Sequence, residues 1–163
     1  MNLVQTAVLT ALIAGGAMAP AYAETKTSTF DVTMKIKKSC DITATENVAF
    51  GEQLASAGSV DATGSVSVKC TKNTPYQVSL NGGGAADTSA RRMLSGTAAI
   101  PYQLYQEAGR STVWGNTAAD DKEATGTGFK GAATKHVVYA RATLDGDQVA
   151  GDYTDTVTAT VTF

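Results

Sequence analysis

The sequence predicts an all-β sandwich with one strand too few, and three observations predict it. Stretches in which apolar and polar residues alternate recur between Gly- and Asn-containing turns, a pattern of short strands. The cleanest alternation lies at the carboxyl end, where Tyr153, Val157, Ala159, Val161 and Phe163 share one parity and Thr154, Thr156, Thr158, Thr160 and Thr162 the other. It runs to the last residue, so the strand expected beside it in a sandwich has no sequence left to form it. Near the other end, Phe30, Val32, Met34 and Ile36 alternate with Thr29, Asp31, Thr33, Lys35 and Lys37. That stretch is either the sandwich's first strand or a strand lent to another copy by β-augmentation.

Residues 1–23 read as a cleaved secretory signal. An apolar run from Leu3 to Ile13 is broken at Gly15-Gly16, and Ala21-Tyr22-Ala23 fits a small-x-small cleavage site. The run is too short for a membrane span, and no other segment offers one. No Lys or Arg precedes it, which is unusual for such a signal. Export therefore places residues 24–163 in an oxidising compartment. Cys40 and Cys70, the only cysteines, are expected to pair there.

The remaining chain has the length of one domain and a slightly acidic, mixed charge with no basic run. That balance argues against nucleic acid and anionic membrane as partners. Along the chain, Asn47 to Gly51 reads as a short strand and Leu54 to Asp61 as a connection of small residues. Val66 to Cys70 and Tyr76 to Leu80 read as strands separated by Pro75, with a tight turn at Asn81 to Gly84. Arg91-Arg92 reads as a solvated pair at a strand edge, followed by a strand over Ile100 to Tyr105. Residues 116–134 read as a long loop with room for one weak edge strand, and His136 to Leu144 as a strand ending in an Asp145-Gly146 hairpin turn.

Chemistry-bearing patterns are scarce. Asn81-Gly82-Gly83-Gly84 lacks the following helix and Lys of a phosphate loop. Asp145, Asp147 and Asp152 do not have the spacing of an EF-hand calcium loop. His136, the sole histidine, has no Ser or Cys nucleophile in a recognisable pattern, so neither a hydrolase nor a metal site is expected. No cofactor is expected either.

The order of short motifs resembles the Spore Coat Protein U domain family, to which the major pilins of archaic (Csu-type) chaperone–usher pili belong. Cys40, Phe50-Gly51, Val66 to Thr71, Tyr76 to Leu80 with Gly82-Gly83, Arg92-Met93-Leu94, Tyr102 to Tyr105, Trp114-Gly115, Val137 to Arg141 and Gly151 to Phe163 carry the resemblance. Residues 118–133 match least.

The resemblance implies an incomplete immunoglobulin-like sandwich, completed by donor-strand complementation. Residues 24–38 would be the donor segment, with Phe30, Val32, Met34 and Ile36 its inward side chains, and residues 39–163 the body. Tyr153, Val157, Ala159, Val161 and Phe163 would form the acceptor-groove wall and the chaperone contact. The implied partners are identical or related pilin subunits, a periplasmic chaperone and an outer-membrane usher. The implied role is a major pilin at the cell surface, serving attachment and biofilm formation. A full donor strand within residues 24–39 leaves little for another, so the body's first strand should begin close to Cys40.

Two other roles fit the same residues. A spore-coat or cell-surface shell protein would keep the fold without forming pili. A carbohydrate-binding module would use Tyr102, Tyr105 and Trp114. A tip adhesin would need a second, receptor-binding domain.

Overall fold

A computed structural model describes residues 22–56 and 58–163 of the chain. The expected signal segment lies outside the described residues, apart from Tyr22 and Ala23. Residues 22–34 belong to one unit and residues 35–163 to another. In the first, the described residues form no helix or strand. The second contains every strand.

Eight strands are described: β1 (Cys40–Glu46), β2 (Gly58–Cys70), β3 (Pro75–Leu80), β4 (Arg92–Ser95), β5 (Ala98–Tyr105), β6 (Lys122–Thr125), β7 (Thr134–Leu144) and β8 (Ala159–Thr162). They form a five-stranded sheet in the order β1-β2-β7-β5-β4 and a three-stranded sheet in the order β6-β3-β8. Every ladder is antiparallel. The fold is all-β, as the residue pattern predicts, and β1 starts at Cys40.

Alternation decides which faces are buried. Val66, Val68 and Cys70 of β2, Val138, Ala140, Ala142 and Leu144 of β7, and Ile100, Tyr102 and Leu104 of β5 point into the core. Tyr76, Val78 and Leu80 of β3 meet them from the smaller sheet. Trp114 is fully buried, and its indole N–H donates to Val78 O at 2.7 Å. His136 is buried in β7, two residues inside the strand, with Nε2 2.9 Å from the Tyr76 hydroxyl. Burial first, and then Lys122 nearby, push its pKa down, so the ring is held neutral.

Several local expectations change. Asn47 to Phe50 form no strand. The β1–β2 register shifts between Ala44 and Glu46, and the chain then crosses β2 at Gly64. A Cβ on Gly64 would lie 2.8 Å from both Glu46 O and Val48 Cγ2, so this crossing needs glycine. β2 already begins at Gly58, inside the expected connection. Gly146 turns with φ 99°, but no hairpin follows. The chain instead crosses to the other sheet, where β8 pairs with β3. The weak strand in the 116–134 loop is β6, at an edge of the smaller sheet.

The arginine pair divides. Arg92 is exposed, but Arg91 is 1% exposed and its guanidinium meets three main-chain carbonyls. Nη2 donates to Leu80 O at 2.9 Å, Asn81 O at 2.8 Å and Trp114 O at 2.8 Å, while Nη1 donates to Gln103 Oε1 at 2.7 Å. These carbonyls end β3 and the Trp114 segment, where no ladder satisfies them. A buried donor set of this kind replaces the missing pairing.

Cys40 and Cys70 form a disulfide across the β1–β2 register, closing a sequence separation of 30. Loop closure of that size stabilises the fold by about 3–4 kcal/mol in the chain-entropy treatment. Cys40→Ser should lower stability by that amount, read as a shift in the denaturation midpoint of the purified protein. Mass spectrometry of the exported protein should find no alkylatable thiol; two free thiols would contradict the pairing.

Candidate functional site: an open flank of the sandwich

β1 and β8, one edge strand from each sheet, lie along one flank of the sandwich. Within the described residues, β1 ladders only with β2 and β8 only with β3. Their Cα atoms come within 8 Å of each other, yet they form no ladder. Each therefore presents a free row of main-chain donors and acceptors, which normally has to be covered or blunted.

The side chains along this flank are apolar and only partly covered. Tyr153, Val157, Ala159 and Val161 are half-buried and pack against the core, while Thr154, Thr156, Thr158, Thr160 and Thr162 are exposed. Cys40, Ile42, Val48 and Phe50 are half-buried on the β1 side. Phe163, just past β8, is 51% exposed. At the end where β2 begins, the flank opens into a cleft of about 910 Å³. Core residues Ile100, Ala142 and Leu144 line it together with Val48, Phe50, Val60, Met93 and Tyr153. Core side chains thus reach solvent through a gap that the two sheets leave open.

The carboxyl segment is not one continuous ladder. Thr154 exchanges main-chain bonds with Leu94 of β4 in the larger sheet, whereas residues 159–162 pair with β3 in the smaller one. Asp155 sits at the switch. Its Oδ2 accepts the Tyr102 hydroxyl at 2.6 Å, and its Oδ1 accepts the N–H groups of Gly84 at 2.9 Å and Thr156 at 2.8 Å. Gly83 has φ 62° and lies so close to this carboxylate that a Cβ would collide with it. Asn81 secures the next turn, exchanging bonds with Thr158 through both main chain and side chain. Sequence reading missed these tethers because the partners are far apart in the chain and carry no motif of their own.

The segment that alternates near the amino end lies outside every ladder. Phe30 is 86% exposed, Val32 87%, Met34 87% and Ile36 72%. Large apolar side chains rarely stand in water as a regular row unless something is meant to cover them. Tyr102, Tyr105 and Trp114 do not form an exposed aromatic platform for sugar, however. Trp114 and Tyr102 are buried, so neither offers a ring face, and only Tyr105 is half-exposed. Among the described residues no cluster of His, Cys, Asp or Glu could hold a metal ion, and no helix is long and apolar enough to cross a membrane.

Burial raises the Asp155 pKa, but the bonds from Tyr102, Gly84 and Thr156, with Arg91 nearby, outweigh it and hold the carboxyl below its ordinary value. Burial, followed by the bond to Asp155, drives the Tyr102 phenol far upward, so it stays a donor. Because the folded pKa of Asp155 is depressed, its contribution is complete above about pH 4, the unfolded value, and is lost as pH falls through the folded one. Asp155→Asn should therefore weaken the subunit at neutral pH and flatten its stability profile below about pH 4. Denaturation midpoints across that range test this; parallel wild-type and variant profiles would contradict it.

The Spore Coat Protein U domain profile matches residues 26–160, most of the chain. No curated protein matches the sequence. The chain is also similar to a solved structure, a chaperone–tip adhesion subunit pre-assembly complex from archaic chaperone–usher Csu pili of Acinetobacter baumannii. The match has 25% identity and a TM-score of 0.50, and covers 78% of this chain and 40% of the matched one.

Proposed function

This chain belongs to the Spore Coat Protein U domain family, and from that premise we propose that it is the major structural subunit of a chaperone–usher pilus, polymerising by donor-strand exchange. The observation that carries the reading is the open flank: two unpaired strand edges over a half-covered core, in a chain with an unpaired apolar row of its own. The similarity to a pilus chaperone–subunit complex supports it. In this reading residues 1–23 direct export, residues 24–38 are the donor segment, and residues 39–163 are the receiving body.

Phe30, Val32, Met34 and Ile36 fill the flank of a neighbouring copy. Burying them yields about 6–12 kcal/mol before ordering costs, at about 1.5–3 kcal/mol each. Main-chain bonds to β1 and β8 fix the register. Tyr153, Val157, Ala159 and Val161 form the wall, and Phe163 lies at its end. Two strand spacings measure about 9.6 Å, so the incoming strand parts edges that now come within 8 Å. A periplasmic chaperone holds the flank until an outer-membrane usher delivers the next subunit. The fibre reaches the cell surface, where attachment and biofilm formation follow.

The requirement that the polymer propagate favours one direction for the lent strand. β1 begins, and β8 ends, at the pole where Cys40 pairs with Cys70. A donor running antiparallel to β8 enters at that pole and leaves at the opposite one. Its own body then starts after only Lys37, Lys38 and Ser39, and the subunits stack head to tail. The reverse direction would bring both neighbours to a single pole and would not propagate.

Val161→Asp puts a charge into the apolar wall and should abolish assembly. Thr160→Asp, on the exposed face, should be much milder. Electron microscopy of fibres from cells carrying the chaperone and usher compares them, and equal damage would overturn the facing. Deleting Glu24 to Lys35 should leave a subunit that binds its chaperone but cannot lend a strand. A peptide spanning Thr27 to Lys38 should stabilise that subunit against heat, and Val32→Asp in the peptide should remove the effect. Normal polymerisation of the truncated chain would overturn donor-strand exchange.

A further inference from the structure

The two poles of the strand-bearing body differ in charge. At the first, the chain enters at Ser39 beside the turn after β2 and the loop after β6. There Thr71 N–H donates to Ser39 O, and the N–H groups of Gly126 and Gly128 donate to Thr74 O and Cys70 O. Lys37, Lys38, Lys72 and Lys130 are exposed on these segments, with Phe129 43% exposed among them. Asp41 is the one acidic residue in the segments 35–41, 69–75 and 126–134.

The opposite pole carries the 910 Å³ cleft, whose apolar lining is rimmed by segments 50–55 and 148–154. Leu54 and Val149 are 85% and 67% exposed there. Glu52, Asp145, Asp147 and Asp152 are exposed around them, and neither 47–57 nor 145–152 contains a Lys or Arg. Neither Glu52 nor Asp147 forms a salt bridge with another described residue, and neither does Lys72 or Lys130.

We propose that the acid-rimmed cleft is the docking site for the lysine-bearing pole of a second copy of this chain. Successive subunits then touch through their bodies as well as through the lent strand. The inference rests on the head-to-tail polymer proposed above. Three features identify the occupant. An apolar cleft ringed by acids faces a pole with an exposed Phe ringed by lysines. The four steps from Ile36 to Cys40 reach at most about 14 Å, so the lysine pole arrives beside the cleft from which the donor strand emerges. The two surfaces differ and lie at opposite ends, which gives an open, repeating contact rather than a closed dimer. Exposed charges of this kind act mainly on encounter rate and orientation, and salt screens them.

The test follows elongation from purified complexes of the full-length chain with its chaperone, by light scattering and electron microscopy. Lys72→Glu with Lys130→Glu should slow elongation about tenfold at low salt, and the deficit should vanish near about 0.5 M salt. Glu52→Lys with Asp147→Lys should do the same. All four substitutions in one chain restore opposite charges at every junction. That chain should elongate at the wild-type rate with itself and about tenfold more slowly onto wild-type subunits at low salt, a deficit that again vanishes in high salt. If either pair leaves the rate unchanged at low salt, or the fourfold chain is as slow as each pair, the docking is overturned while strand lending stands. If the wild-type chain forms no fibre at all, the polymer reading falls and the docking with it.

Discussion

A sheet buries its inner face only where something lies across it. Here five strands are opposed by three, and β8, at the margin of the smaller sheet, is a strand of only four residues laddered to β3 on one side. Val157, Ala159 and Val161 therefore contact the core from one side and remain half-covered on the other. The shortfall cannot be repaired by a small adjustment, because filling it takes a row of side chains and a set of main-chain donors and acceptors together. A strand supplies both. A small ligand would fill the cleft and leave the ladders of β1 and β8 open.

The remainder of the molecule is built to stay ordered with one flank open. Arg91 gathers carbonyls from the end of β3 and the Trp114 segment, and Trp114 returns a bond to Val78 in the same strand. Burial pulls the Arg91 pKa down, with the charges of Tyr102, Asp120 and Asp155 opposing the shift. Among the described residues no carboxylate forms a salt bridge with it. Its value to the fold is the number of otherwise unpaired acceptors it satisfies rather than any single ion pair. Asp155 and Asn81 extend the same support to the carboxyl segment, holding the wall of the flank at its upstream end while its downstream edge stays free.

Much of this was legible from alternation alone. The threonine row on residues 154–162 separates the exposed face from the half-buried one, the strand at β3 follows from its odd–even split, and those at β5 and β7 follow from β-rich runs. The paired cysteines follow from their number and from export. What alternation cannot show is which sheet a strand joins. Residues 153–163 look like one strand, yet they change partner from β4 to β3 at Asp155, because the tethers that impose the switch come from Tyr102 and Gly84. Arg91 is equally opaque: its neighbour Arg92 has the same chemistry and lies in water. The break at Asn47 to Phe50 depends on a crossing over Gly64 that only three-dimensional register reveals.

The position of the disulfide acquires a mechanical meaning in a fibre. In the proposed polymer, tension between subunits would enter each body where the linker meets β1, at Ser39 and Cys40. β1 is an edge strand held by one ladder, so a load applied at its end would fall on that ladder alone. Cys40 is joined at this point to Cys70, the last residue of β2. Ser39 is also bonded to Thr71 through main chain and hydroxyl. The load therefore passes directly into β2, a strand of 13 residues paired on both sides with β1 and β7. The force on β2 is then shared between two ladders, more main-chain bonds than β1 alone could offer. In the proposed polymer, the cysteines would thus stand where the lent strand ends and the receiving fold begins, the junction that such a polymer loads most directly.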